Sequence, residues 1–163
     1  MNPARHRAQG FTLIELIMVV AILAILAAIT APSMRDFVKA AGVRGASSDF
    51  YSALVAARAE AIKRRASVSV APAVGTSWTS GWTVASGGST FQKADPLPSE
   101  VAVKDAATTI TYGANGRVSA GAQTVVFYIA GSTTIPARCV SIDTNGLPRV
   151  RTDSNKDASD GCN

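Results

Sequence analysis

The chain has 163 residues, room for one compact domain and an appendage but too few for two full domains. With 47% hydrophobic and 17% charged residues it is a folding sequence and not a disordered one. Its formal charge of +5 comes from 16 Lys and Arg against 11 Asp and Glu; without the first ten residues, which hold Arg5 and Arg7, 14 stand against 11, an excess too mild to imply nucleic acid by itself.

Residues 1–10, MNPARHRAQG, form a short basic stretch, and residues 11–31 follow as an apolar run in which only Thr12, Glu15 and Thr30 are polar. As an α-helix that run spans about 31 Å, the thickness of a hydrocarbon core. The basic end is expected to stay in the cytoplasm and the remainder to be exported. An ordinary secretory signal places small residues and a cleavage site after the apolar segment. Here Pro32-Ser33-Met34-Arg35 leads instead into another helical pattern, so the apolar segment is expected to remain in the mature protein.

Glu15 stands out inside that run. A carboxylate in a spanning helix costs roughly 2.5–3.5 kcal/mol on insertion scales. It can snorkel to water at the membrane edge, or it can have a cationic partner. A cut between Gly10 and Phe11 would supply one, because the new α-amino group of Phe11, or that of a neighbouring subunit, comes within a helical turn of Glu15.

Gly10-Phe11-Thr12-Leu13-Ile14-Glu15-Leu16 resembles the signature of type IV prepilins. The resemblance implies cleavage after Gly10 by a prepilin peptidase, N-methylation of Phe11, and pairing of Glu15 with a neighbour's N-terminus during filament assembly. It also implies a single-pass inner-membrane precursor with its C-terminal domain in the periplasm, later part of a pilus or pseudopilus. Its partners would be other pilins or pseudopilins through the N-terminal helix, and an inner-membrane assembly platform. Pro32 matches the proline at which pilin helices kink, and a proline inside a helix removes a hydrogen bond and crowds the preceding turn.

The helix is predicted to continue over 32–65, an amphipathic stretch without another proline. Phe50, Leu54, Ala57 and Ala61 fall on one stripe suited to packing on a sheet. Gly42 and Gly45 soften its middle, and Arg58, Lys63, Arg64 and Arg65 lie toward its end, where positive charge suits the helix dipole.

Beyond Arg65 the pattern turns to β. Strands are expected at Ser67 to Val70, around Trp78 and Gly81 to Val84, and at Val101 to Val103, Thr109 to Tyr112, Thr124 to Ala130, Cys139 to Asp143 and Arg149 to Thr152. Gly87-Gly88, Asn115-Gly116, Gly131-Ser132 and Asn145-Gly146 mark turns, the two Asn-Gly pairs most clearly. The expected fold is α+β: a pilin-like long helix packed on an antiparallel meander that occupies 66–163. Cys139 and Cys162, in an exported chain, read as one disulfide; with no His nearby they are too few ligands for structural zinc, and no metal or cofactor is expected.

The stretch Leu54 to Arg64, the Trp78 to Trp82 pair with Gly81, and Asn145-Gly146 followed by basic residues are similar to the GspH/FimT group, which holds minor type IV pilins and minor type II secretion pseudopilins. The implied function is a minor pilin that helps initiate or cap a pilus. A secretion pseudopilin is the alternative, although cystine-closed C-terminal segments resemble pilins more. The third reading is DNA capture: Gly146-Leu147-Pro148-Arg149-Val150-Arg151 is similar to the Gly-Arg-x-Arg tail of DNA-binding FimT proteins, with Arg138 and Lys156 the nearest further cations in sequence. Leu147 departs from that pattern, and Asp153, Asp157 and Asp160 follow; a charged, solvated edge strand explains Arg149 and Arg151 equally. No carboxylate pair or phosphate-binding loop suggests an enzyme, and His6, the sole histidine, falls in the leader.

Overall fold

The computed structural model describes residues 11–104, 109–120, 124–158 and 162. The expected leader, residues 1–10 with Gly10, lies outside them, as does Asp160. Helix α1 runs over Leu13–Arg64, and the chain divides into two compact units with the boundary inside it, between Arg35 and Asp36.

In the first unit, Thr12 caps α1: its Oγ1 accepts the Glu15 N–H at 3.3 Å, as an N-cap threonine does for the third helical residue. Every described side chain from Phe11 to Ile29 is exposed, Leu13 at 77%, Ile25 at 63% and Ile29 at 69%. No single helix among the described residues is long and apolar enough to cross a membrane; Leu13–Ile29 and Ser33–Arg64 pass that test only together, by length and composition.

In the second unit, α1 buries the predicted stripe. Phe50, Leu54, Ala57 and Ala61 are fully buried, joined by Val43, Ala46 and Ala53. Phe50 is the hub: its ring stands edge-on to Trp78 and Trp82, each at 5.1 Å, and tilted against Phe127 at 5.5 Å. Such aromatic pairs contribute about 0.5–1.5 kcal/mol each beyond area burial.

Nine strands follow among the described residues: β1 Val68–Pro72, β2 Trp82–Ser86, β3 Ser89–Lys93, β4 Val101–Lys104, β5 Ile110–Tyr112, β6 Val118–Ala120, β7 Thr124–Ile129, β8 Arg138–Ile142 and β9 Pro148–Thr152. They form two antiparallel sheets instead of one meander. The first has the order β3-β2-β1-β5-β6 and the second β4-β7-β8-β9. Val68, Val70, Trp82, Val84, Ile110 and Tyr112 of the first sheet join Val101, Val125, Phe127, Ile129, Val140 and Ile142 of the second in one core with the helix stripe. Strands β3 and β6 are additions to the sequence reading. Trp78 belongs to a short 3₁₀ turn, Trp78–Ser80, and Arg65 lies beyond the helix end with φ 52°. Gly81 (φ 82°) is held to glycine because a Cβ there would come within 2.7 Å of the Asp95 carbonyl oxygen.

Two hairpin tips are built alike. In each, the glycine N–H donates to the carbonyl three residues earlier: Gly116 to Gly113 at 2.8 Å and Gly146 to Asp143 at 2.9 Å. Both glycines have positive φ, 72° and 80°. The tips stack on α1. Gly116 lies against Ile62, and Arg58 Nε donates to the Gly116 carbonyl at 3.0 Å. Gly146 lies against Gly116 and Arg117, so that one tip from each sheet and the helix meet at a point. Arg58, read in sequence as a helix-dipole charge, is thus a clamp on the first sheet's tip.

Tyr112 lies buried with its hydroxyl unpartnered. Burial pushes that phenol up to about 12, with Asp143 adding to the rise and Arg58 opposing it. The phenol is neutral in folded and unfolded chains alike below pH 10.0, its ordinary value, so no effect is expected there. From there to about 12 the unfolded chain ionises first and stability falls with rising pH. Tyr112→Phe, which removes an unpaired hydroxyl, should leave neutral-pH stability within about 1 kcal/mol of wild type and flatten the alkaline loss in thermal melts of the full chain.

Candidate functional site

Three places carry the predicted site residues. The first is the start of α1. Phe11, Thr12 and Glu15 are all exposed there, so the carboxylate sits on a helix surface otherwise covered by large apolar side chains. Thr12-Leu13-Ile14-Glu15 also has the spacing of a capping box, a local role for this end that the sequence reading passed over although its residues were in plain view. Pro32 falls within the bounds of α1.

The second place is the β8–β9 hairpin. The register pairs Arg149 with Ser141 and Arg151 with Cys139, placing both arginines on one face of the second sheet. Arg138 pairs with Thr152 and belongs to the opposite face. Lys156 is exposed in the segment after β9, with φ 61°. Arg149 Nη2 lies 3.9 Å from Asp143 Oδ2, a contact of the weak surface kind. Asp143 also shapes the turn, its Oδ1 accepting the N–H groups of Asn145 and Leu147 at 2.9 Å each. Asp153 is buried, which takes one of the acids following the arginines off the exposed surface.

The third place is the C-terminal tail. Cys139 and Cys162 are joined in a disulfide with Cα atoms 6.0 Å apart. Around it Val126, Ala137 and Cys139 make a second small core with Tyr128, Ala158 and Cys162 packed on it. Strand β7, Thr-Val-Val-Phe-Tyr-Ile, is hydrophobic on both faces from Val125 to Ile129 for this reason. Val125, Phe127 and Ile129 face the main core, while Val126 and Tyr128 belong to the core beneath the tail. Further ties hold the tail: Lys104 Nζ donates to the Ala158 carbonyl at 3.4 Å, and the Asp153 N–H donates to the Ala137 carbonyl at 2.9 Å.

The basic residues at the end of α1 are committed locally. Glu60 pairs with Arg64 and, at 3.8 Å, with Lys63. The Arg64 hydrogen bond holds the Glu60 carboxyl below its ordinary value. The Arg64 guanidinium also lies over Phe91, 4.1 Å from the ring centre.

Comparison with known families matches residues 46–146 to the family described as type II transport protein GspH, and residues 5–31 to the prokaryotic N-terminal methylation motif. The second match spans Gly10, Phe11 and Glu15; the first takes in the helix stripe and both Asn-Gly turns and stops short of Arg149 and Arg151. No curated protein matches the chain. Among solved structures, the type IV minor pilin FimU of Pseudomonas aeruginosa is similar at 23% identity and TM-score 0.59, over 78% of this chain and 99% of that one. A second crystal form of FimU gives 24% and 0.55, over 74% and 99%. The minor pseudopilin EpsH of the Vibrio cholerae type 2 secretion system gives 17% and 0.52, over 68% and 96%. At these identities the likeness is one of fold, the α+β arrangement of a long helix and an antiparallel β-domain.

The disulfide closes a segment of 23 positions, for which the loop-entropy model gives about 3 kcal/mol of stabilisation. Cys162→Ser should lower the melting temperature of the full chain by several degrees and render the tail protease-sensitive, whereas Arg149→Ala should change melting little. Equal melting of Cys162→Ser and wild type under non-reducing conditions would show that the small core holds the tail without the bond.

Proposed function

The chain belongs to the GspH family, and from that membership we propose that it is a minor type IV pilin, an assembly subunit that helps initiate or cap a pilus. Assembly with other pilins or pseudopilins follows from the family; the particular role rests on our reading of the residues. The observation that carries it is the surface of α1 from Leu13 to Ile29, where every described side chain is exposed and nearly all are apolar. A surface of that kind needs lipid or other helices around it.

In this reading residues 1–10 are a leader, removed by a prepilin peptidase between Gly10 and Phe11, and Phe11 is then N-methylated. Residues 11–31 hold the precursor in the inner membrane, with 66–163 in the periplasm, until the assembly platform moves the helix into a filament. Glu15 pairs there with a neighbour's amino-terminus, removing an unpaired carboxylate from an apolar bundle and setting the register between helices. Pro32 and the stretch after it let the helix adjust between lipid and filament. A secretion pseudopilin is the second reading, favoured by the description of the family that matches 46–146.

One deletion strain decides between them. Wild type should restore sheared surface pili, and its intact mass should begin at methylated Phe11. Glu15→Ala should accumulate to the same level yet enter pili at least tenfold less. Normal pili with failed export of secreted enzymes in the deletion strain would transfer the assignment to the secretion machine.

DNA capture has one observation in its favour, the shared face of Arg149 and Arg151. Two or three phosphate contacts support only non-specific binding, roughly 10⁻⁴ to 10⁻⁶ M and strongly salt-dependent. Arg149 is also partly neutralised by Asp143. Titration of the full chain in detergent with short duplex DNA at low salt should therefore find no binding that Arg149→Ala/Arg151→Ala abolishes. Salt-sensitive binding lost in the double variant would make DNA capture the leading function.

A further inference from the structure

Asp153 is the anomaly of the C-terminal segment. It is 1% exposed, and both carboxylate oxygens are buried without a hydrogen-bond partner. Its own N–H is satisfied by Ala137, so the imbalance lies in the side chain alone. Two cations near the tail are engaged elsewhere: Lys104 donates to the Ala158 carbonyl, and Arg149 faces Asp143. A carboxylate withdrawn from water needs a counter-charge, and an unsatisfied buried group of this kind marks a place where an ion or water belongs.

We propose that the turn after β9 is a calcium site, with Asp153, Asn155 and Asp157 as its side-chain ligands. Asp153-Ser154-Asn155-Lys156-Asp157 puts oxygen donors at alternate positions, the spacing with which a single loop wraps a hard cation, main-chain carbonyls and water completing the shell. Two carboxylates and an amide make up the set; among the described residues no three His, Cys, Asp or Glu side chains gather to hold a metal. That composition selects calcium. Zinc wants nitrogen or sulfur, and magnesium keeps its water and a strict octahedron. Ala158 stands where such loops carry glycine, and the left-handed residue is Lys156 instead (φ 61°), so the affinity expected is that of weak extracellular modules, about 10⁻⁴–10⁻³ M. The segment is anchored at both ends before any ion arrives, through the β8–β9 ladder and through the Cys139–Cys162 bond, which reduces the cost of ordering it. Bound calcium would answer the Asp153 charge and hold the tail over Val126 and Tyr128.

The test uses the full chain in detergent, stripped with EDTA. Calcium chloride at about ten times the dissociation constant should raise the melting temperature by roughly 5 °C, and magnesium chloride at the same concentration by much less. Terbium alone should bind with luminescence sensitised by Tyr128, which packs on the same small core as Ala158, and calcium should displace it. Asp153→Asn should lose calcium affinity at least tenfold. Asp157→Asn, at an exposed position, should do the same with its melting temperature in EDTA unchanged, and Asp49→Asn on α1 should not. The proposal falls if wild type shows neither the melting shift nor displaceable terbium luminescence, or if Asp157→Asn responds to calcium as wild type does.

Discussion

The burial of one helix face around Phe50 is the contact on which the rest of the domain is arranged. Its ring meets Trp82 of the first sheet and Phe127 of the second, so a single side chain of α1 joins both sheets. Neither sheet alone could bury its apolar face: the first has five strands with short ends, the second four. The helix supplies the missing surface through small residues. Ala46, Ala53, Ala57 and Ala61 are buried around the larger Val43, Phe50 and Leu54, so the backbone comes close to the strands while the aromatic fills the middle.

That approach explains the glycines of the two tips. With the helix axis held near the sheets, Gly116 has Ile62 against it, and Gly146 has Gly116. A side chain at either position would separate the sheets from the helix or from each other. The Arg58 bond to Gly116 satisfies a carbonyl at this crowded point with a long side chain lying along the surface. The Leu54 to Arg64 stretch and the Asn145-Gly146 turn, two of the features that carry the resemblance in sequence, belong in the structure to one joint, with Gly116 between them.

The helix stripe was legible because its period is local and strong: Phe50, Leu54, Ala57 and Ala61 need no knowledge of the sheets to be placed on one face. The strands with alternating or continuous apolar residues were legible for the same reason. Strand β3, Ser-Thr-Phe-Gln-Lys, was not, since it is an exposed edge held by backbone pairing to β2. Strand β6 has three residues and almost no pattern. The division into two sheets was out of reach, because β4 leaves its neighbours in sequence to pair with β7, a choice made by the core. At the candidate sites, the common face of Arg149 and Arg151 follows from strand alternation, but the burial of Asp153 does not, as it depends on where the tail settles.

The two parts of the chain solve opposite problems. The second unit buries its apolar surface within itself, in one large core and a small one closed by a covalent bond. In the first unit Leu13 to Ile29 stay exposed, with a single carboxylate among them. A domain whose apolar surface is already buried gains little from hydrophobic partners, whereas an exposed apolar helix carrying one acid is stabilised where other molecules cover it and water or a cation meets the charge. The family match to the domain ends at residue 146, before the arginines and the tail, and the methylation motif ends at residue 31. The last strand and the disulfide-bound tail, which hold Arg149, Arg151 and Asp153, fall outside both matches.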